Sequence, residues 1–382
     1  MGGKQTISIR GRGPQKRIRL QALAVALYSL AALATPAFAQ RFDDVISGVI
    51  LGGCAGLNPT GNLAARCGAG IPGASGGSTT ALSAESTPAQ EKQYQRVIGP
   101  LNLYFSGDYE RYHKNVTTFE PGYTNDIWRA LLGADYSLNN NFLFGGGLRY
   151  AHDNGDFKGG GNFDMDSYGF IVHANYIPAP DWFLDTNAGY LRKNSSVTRA
   201  VFFDSGAGNA FIGNARGKPD GNEFQYGVNG GYDYHFQNVT VGPRAALGYT
   251  YNQIDSYGEH GNTGLELNYK SQTEHSLTST LGAQGSIAFS TGIGVIVPQL
   301  VAEYLHEFLD PQRRIGFRFA EDLNGVAFRF ENDKPDRNYF NLGAGVVFQL
   351  AHGIAPFINY RALVGYTDHS SHRVTAGVRV EF

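Results

Sequence analysis

The feature that most constrains this chain is a series of twelve segments, from Leu101 onward, in which apolar side chains alternate with polar or small ones. They begin near Leu101, Asp126, Phe142, Asp164, Trp182, Glu223, Val239, Glu274, Gly294, Tyr339, Ile354 and Ser371. A strand sends successive side chains to opposite faces, so each segment carries one apolar row and one polar row. In the second segment the apolar row is Trp128, Ala130, Leu132, Ala134 and Tyr136, against Arg129, Gly133 and Asp135. The fourth sets Phe170, Val172, Ala174 and Tyr176 against Gly169, His173 and Asn175; the tenth sets Phe340, Leu342, Ala344, Val346, Phe348 and Leu350 against Asn341, Gly343, Gly345 and Gln349. One face suits lipid and the other suits water.

The connections reinforce this reading. Tight turns at 139–141, 178–181, 237–238, 290–292 and 352–353 are built from turn-forming residues. They alternate with longer polar connections around 113–123, 153–163, 194–222, 254–273 and 309–338, and a shorter one at 367–370. Short turns on one side, long loops on the other and an even strand count describe an outer-membrane barrel. Aromatics gather near strand ends, as at Phe142, Phe144, Tyr150, Tyr176, Trp182, Tyr190, Tyr232, Tyr234, Tyr249 and Tyr251, which suits interfacial girdles. The expected fold is therefore all-β, a twelve-stranded antiparallel transmembrane β-barrel. A soluble β-sandwich or a large lipocalin-like barrel is the alternative. A hydrophobic fraction of 42% excludes a helical membrane bundle, and 51 glycines with 25 phenylalanines and 22 tyrosines suit strands.

Residues 1–39 read as a secretory signal peptide. Lys4, Arg10, Arg12, Lys16, Arg17 and Arg19 come without an acid, an apolar run follows from Ala22 to Ala34, and Ala37-Phe38-Ala39 supplies the cleavage spacing before Gln40. A membrane anchor would need about 20 apolar residues, more than this run offers. Such a chain would use the Sec translocon and periplasmic chaperones in transit. Without those six cations the remainder is acidic, because the whole chain has 31 basic against 33 acidic residues. Nucleic acid is not an expected partner.

From about Leu101 to Phe382 the chain resembles the autotransporter β-domain of type V secretion. The resemblance is carried by Glu303-Tyr304-Leu305-His306-Glu307-Phe308, by Asp336 to Gly345, by Asn359-Tyr360-Arg361 and by the segment Val374 to Phe382. In that last segment Val374, Ala376, Val378, Val380 and Phe382 form an apolar row that resembles the C-terminal insertion signal of outer-membrane barrels. The resemblance implies a monomeric twelve-stranded barrel at 99–382, inserted into outer-membrane lipid of a Gram-negative bacterium by the barrel-assembly machinery. It also implies an N-terminal segment that threads the pore toward the cell surface. The sequence departs from the usual pattern in offering only residues 40–98 as passenger and linker, too few for a β-solenoid with its several repeats. Within them, Gly68–Gly77 reads as flexible linker, and Ala84–Val97 as either a helix that enters the lumen or further solvated linker.

Cys54 and Cys67 are the chain's only cysteines, and an oxidising compartment makes a disulfide between them the expectation. Two thiols without a nearby histidine do not make a zinc site. No metal, cofactor or enzymatic activity is expected. Gly73-Ala74-Ser75-Gly76-Gly77 fits G-x-S-x-G, but it lies in linker, without the strand and helix that a nucleophile elbow requires. His306 falls on the row opposite Glu303 and Glu307, and the other histidines are scattered. The parity of the strands instead sends Arg129, Asp135, Arg149, Asp185, Asp233, Arg244, Glu303, Arg361, Arg379 and Glu381 toward the lumen, either to receive a polar plug or simply to be solvated. Mixed signs argue against strong ion selectivity. Three roles follow: a translocator that anchors and exports a short segment, a surface adhesin or receptor acting through loops 194–222 and 310–338, or a channel.

Overall fold

The computed structural model describes residues 100–382, apart from 140, 180, 205–208 and 310–313. The signal peptide at 1–39, the Cys54–Cys67 bridge and the helix or linker at 84–97 lie outside the described residues.

Twelve strands form one closed antiparallel barrel: β1 (Leu101–Lys114), β2 (Tyr123–Ser137), β3 (Phe142–Phe157), β4 (Gly161–Ala179), β5 (Trp182–Asp204), β6, β7 (Val239–Ile254), β8 (Gln272–Ile287), β9 (Gly294–Glu307), β10 (Asn338–Leu350), β11 (Ile354–Val364) and β12 (His369–Glu381). Strand β6 runs in three pieces, Asn209–Gly217, Asp220–Tyr232 and Tyr234–Phe236. Pro219, which has no N–H to donate, stands at the first break, where its carbonyl accepts from Ser195 N at 3.1 Å. The ring closes where β1 pairs with β12 from Asn102↔Glu381 to Lys114↔His369. Closure satisfies every strand edge, a requirement for sheet in hydrocarbon.

The two rows separate cleanly. On the outer face Trp128, Leu132 and Tyr136 of β2, Phe170 and Val172 of β4, and Phe340 and Leu342 of β10 are exposed. Their inward neighbours Arg129, Asp135, His173, Asn175 and Asn341 are buried. The exposed apolar side chains are the lipid surface; the buried polar ones are the lining. Aromatics mark both borders of the lipid band. Phe142 stacks on Tyr176 at 4.5 Å, and Trp182 meets Tyr232 edge-on at 5.0 Å, beside the short turns. At the other border Tyr109 packs on Trp128 and Tyr190 on Phe224.

The long connections differ from the sequence expectation. Residues 194–222 are mostly strand, because β5 continues to Asp204 and pairs with Asn209–Gly217. Beyond the lipid border the outward row is free to be polar, so the apolar signature stops while the alternation persists in Val197, Val201 and Ala215, all buried on the inward row. The 153–163 loop is likewise reduced to a turn between Phe157 and Gly161. The loops after β7 and β9 supply a second, four-stranded sheet in the order Tyr257–Gly258, Leu267–Tyr269, Arg314–Phe319, Phe328–Glu331. Its core is Leu267, Tyr269, Ile315 and Phe317, flanked by Tyr257, Phe319, Phe328 and Phe330.

Candidate functional site: the barrel interior and its outer mouth

Charges on the inward rows meet across neighbouring strands. Arg129 on β2 is ion-paired with Asp108 on β1 and donates from Nη2 to Glu110 at 2.6 Å. Glu110 also accepts from Arg373 of β12 at 3.1 Å and from Ser371 Oγ at 2.5 Å. The pair Lys193–Glu223 joins β5 to β6, with Asn252 of β7 accepting from the same ammonium at 3.2 Å. Arg149 is buried on the inward row of β3. A buried ion is tolerable only when its charge is compensated, and these clusters bring opposite charges together from several strands.

Nearer the short turns the lining is built over glycines. Asp135 on β2 and His173 on β4 lie 2.8 Å apart with β3 between them, and they meet because β3 carries Gly145 there. A Cβ at Gly145 would sit 2.1 Å from the Asp135 oxygen and 2.3 Å from His173 Nε2. The same device recurs on β10. Gln299 of β9 donates to Asn359 of β11 at 3.0 Å over Gly345, and Arg361 of β11 donates to Glu303 of β9 at 3.1 Å over Gly343. Arg379 reaches Asp135 at 3.1 Å and lies 3.9 Å from Glu381. Asp233 pairs with Arg244, which also stacks over Phe183, and Asp185 accepts from Asn229 at 3.2 Å. Thus Arg129, Asp135, Arg379, Glu381, Glu303, Arg361, Asp233 and Arg244 meet as partners, while Arg149 and Asp185 occupy the same wall. The strand parity that picked those residues applies equally to Asp108, Glu110, Lys193, Glu223 and Arg373, which the sequence reading passed over; His173 it had already set on the polar row of the fourth segment.

Toward the long loops the lining changes character. Tyr112, Tyr123, Phe157, Phe163 and Val197 form a buried apolar cluster on the inward rows of β1 to β5. Above it, Lys114 of β1 is ion-paired with Glu120 and donates to Asp333 at 2.8 Å. Arg199 of β5 donates from Nε to Glu259 at 2.9 Å, and its Nη2 donates to the Leu265 carbonyl at 3.0 Å. Burial opposes the charge on Arg199, but the hydrogen bonds and charge of Glu259 outweigh it and hold the guanidinium above its ordinary range. Burial beside Glu259 pushes the Tyr257 and Tyr269 hydroxyls well up. On the outer row of β12, Val374, Ala376 and Phe382 are exposed to the lipid side, with Val378 and Val380 half-buried.

The family model of the autotransporter β-domain matches residues 103–361, more than half of the chain. The chain belongs to the autotransporter β-domain family. Solved structures agree on the fold. The β-domain is similar to the translocator domain of the autotransporter NalP from Neisseria meningitidis, at 16% identity and TM-score 0.59, over 74% of this chain and 89% of that one. It is similar also to the β-domain of the Bordetella autotransporter BrkA, at 16% identity and TM-score 0.54, over 74% of this chain and all of that one. Among curated proteins, Lipase 1 of Photorhabdus luminescens is 21% identical over 264 residues, and outer membrane protein B of Rickettsia rickettsii 24% over 270; each match covers 68% of this chain. The match spans only 39% of the lipase and 16% of the Rickettsia protein. The β-domain is thus an outer-membrane translocator barrel of a Gram-negative bacterium, and a unit of this kind is not itself catalytic.

Proposed function

We propose that the β-domain anchors this chain in the outer membrane and carries residues 40–98, preceding it, through its polar interior toward the cell surface. The observation that supports this reading is the polar lining that runs from the short turns up to the apolar cluster around Tyr112 and Tyr123, inside a closed, lipid-faced ring. A peptide carries donors and acceptors along its whole length, and only a lining of this kind can match them out of contact with lipid. In this reading the signal peptide at 1–39 directs Sec-dependent export, periplasmic chaperones escort the chain, and the barrel-assembly machinery inserts it as a monomer. The row Val374, Ala376, Val378, Val380 and Phe382 is the insertion signal. The Cys54–Cys67 bridge closes a small loop whose width limits passage. An epitope tag placed directly after Arg41, probed by antibody and protease on intact cells with a periplasmic marker as control, tests the proposal. Surface labelling is expected; a tag protected until the outer membrane is breached overturns export.

A second reading, a surface receptor or adhesin, is favoured by the extracellular sheet with its own aromatic core and by exposed Leu323 and Val326 in the loop after β9. Deletion of residues 314–331 that leaves cell binding unchanged eliminates it.

A further inference from the structure

We propose that the loops after β7 and β9 form a latched lid across the outer mouth of the barrel, and that this lid alone closes the pore at rest, independently of residues 40–98. Three observations place it there. The two loops are knit into one body, because Leu267–Tyr269 pairs with Arg314–Phe319 and their side chains share a core. That body is fastened to inward-facing residues at separated points of the ring. Glu259 holds Arg199 on β5, while Asp333 accepts from Lys114 on β1 and, at 2.6 Å, from Thr117. Three strands separate β1 from β5 on one side of the ring and seven on the other, so a body held at both points lies over the opening rather than beside it. Finally, the inward row beneath it turns apolar at the cluster containing Tyr112, Tyr123 and Phe163. That apolar stretch of the β1–β5 wall offers water and ions few hydrogen bonds under the lid.

The latches are buried ion pairs, which suits a two-position device. Arg199 and Lys114 are each about 1% exposed as side chains; their lid partners Glu259 and Asp333 are 3% and 20% exposed. Paired, such charges hold the lid in one place. With Glu259 neutralised, the Arg199 guanidinium loses its counter-charge and is driven toward water, which lifts the lid; Asp333 contributes the second tether, since Lys114 keeps Glu120 of the β1–β2 connection as a partner. A third attachment on the same side, the antiparallel bridge Arg216↔His260, offers a way to lock it. The bridge is a hydrogen-bonded pair, with Arg216 N to His260 O at 2.9 Å and the reverse at 2.7 Å. Such pairs have Cα atoms about 5.5 Å apart, within disulfide reach.

The test uses the full mature chain in planar bilayers, with cold and heated electrophoretic mobility as the check that the barrel is folded. The wild type is expected to give only rare, brief openings. Glu259→Gln combined with Asp333→Asn, folded as judged by mobility, is expected to shift to a stable open level. Adding Arg216→Cys and His260→Cys to that variant, in a Cys54→Ser and Cys67→Ser background, is expected to silence it when oxidised and restore conductance on reduction. A wild type that conducts stably overturns the proposal. So does a folded latch variant that stays silent, because closure then resides elsewhere, in the interior network or in residues 40–98.

Discussion

At the scale of single residues, the interior and exterior of this barrel follow opposite rules for the same side chains. Arg129 is enclosed with Asp108 and Glu110, whereas Arg111, on the outer row of the same region, faces Asp126 at 3.5 Å in the open. Arg129→Ala leaves Asp108 with only Arg373 at 4.0 Å, while Glu110 keeps Arg373 and Ser371, and is expected to cost about 3 kcal/mol in a urea titration of the folded barrel. Arg111→Ala should cost less than about 1 kcal/mol. Equal costs would mean that the interior is wet enough to screen its charges. Gly145 gives a complementary test of space. Adding a Cβ where Asp135 meets His173 forces both side chains aside, and Gly145→Ala should lower stability by about 1–3 kcal/mol. The same change at Gly159, where a Cβ meets nothing within 4 Å, should be nearly neutral.

At the scale of elements, what was legible in the sequence is what period two encodes. The outward row of every strand had to be apolar within the lipid band, so strand positions and facing could be read for β2, β4 and β10 residue by residue. What lay outside that band was hidden. The upper half of β5 and the piece Asn209–Gly217 keep the alternation but not the lipid signature, and read as loop. The extracellular sheet is assembled from short pieces such as Tyr257–Gly258, whose pairing depends on contacts distant in sequence. Partners inside the barrel were only half legible: parity says that Asp135 faces inward, but not that a glycine on β3 opens the way to His173. The lipid band also sets a depth-dependent expectation. Leu132→Arg, exposed mid-strand on β2, should cost about 2–4 kcal/mol. Phe142→Arg, at the border beside a short turn, should cost at most about 1 kcal/mol. Comparable fractions of folded protein for the two variants in lipid vesicles would place the band elsewhere.

At the scale of the whole molecule, closure and insertion are separate contributions of one strand. Strand β12 pairs with β1 along thirteen register positions and with β11 along nine, so its backbone completes the ring whatever its side chains are. Phe382, by contrast, ties its own N–H to the Leu101 carbonyl at 2.9 Å while its ring projects to the lipid side, 56% exposed. These roles predict different failures. Deleting residues 369–382 uncovers an edge on β1 and another on β11. Unpaired backbone groups there cannot be met by hydrocarbon, so no folded, heat-modifiable barrel should be recovered at any time of assembly. Phe382→Ala leaves both ladders intact. If the terminal apolar row acts as an insertion signal, the variant should assemble more slowly while the fully assembled barrel unfolds at the same urea concentration as the wild type. A variant that assembles at the normal rate but unfolds earlier would assign Phe382 to packing, and the insertion signal would then have to lie in Val374, Ala376, Val378 and Val380 alone.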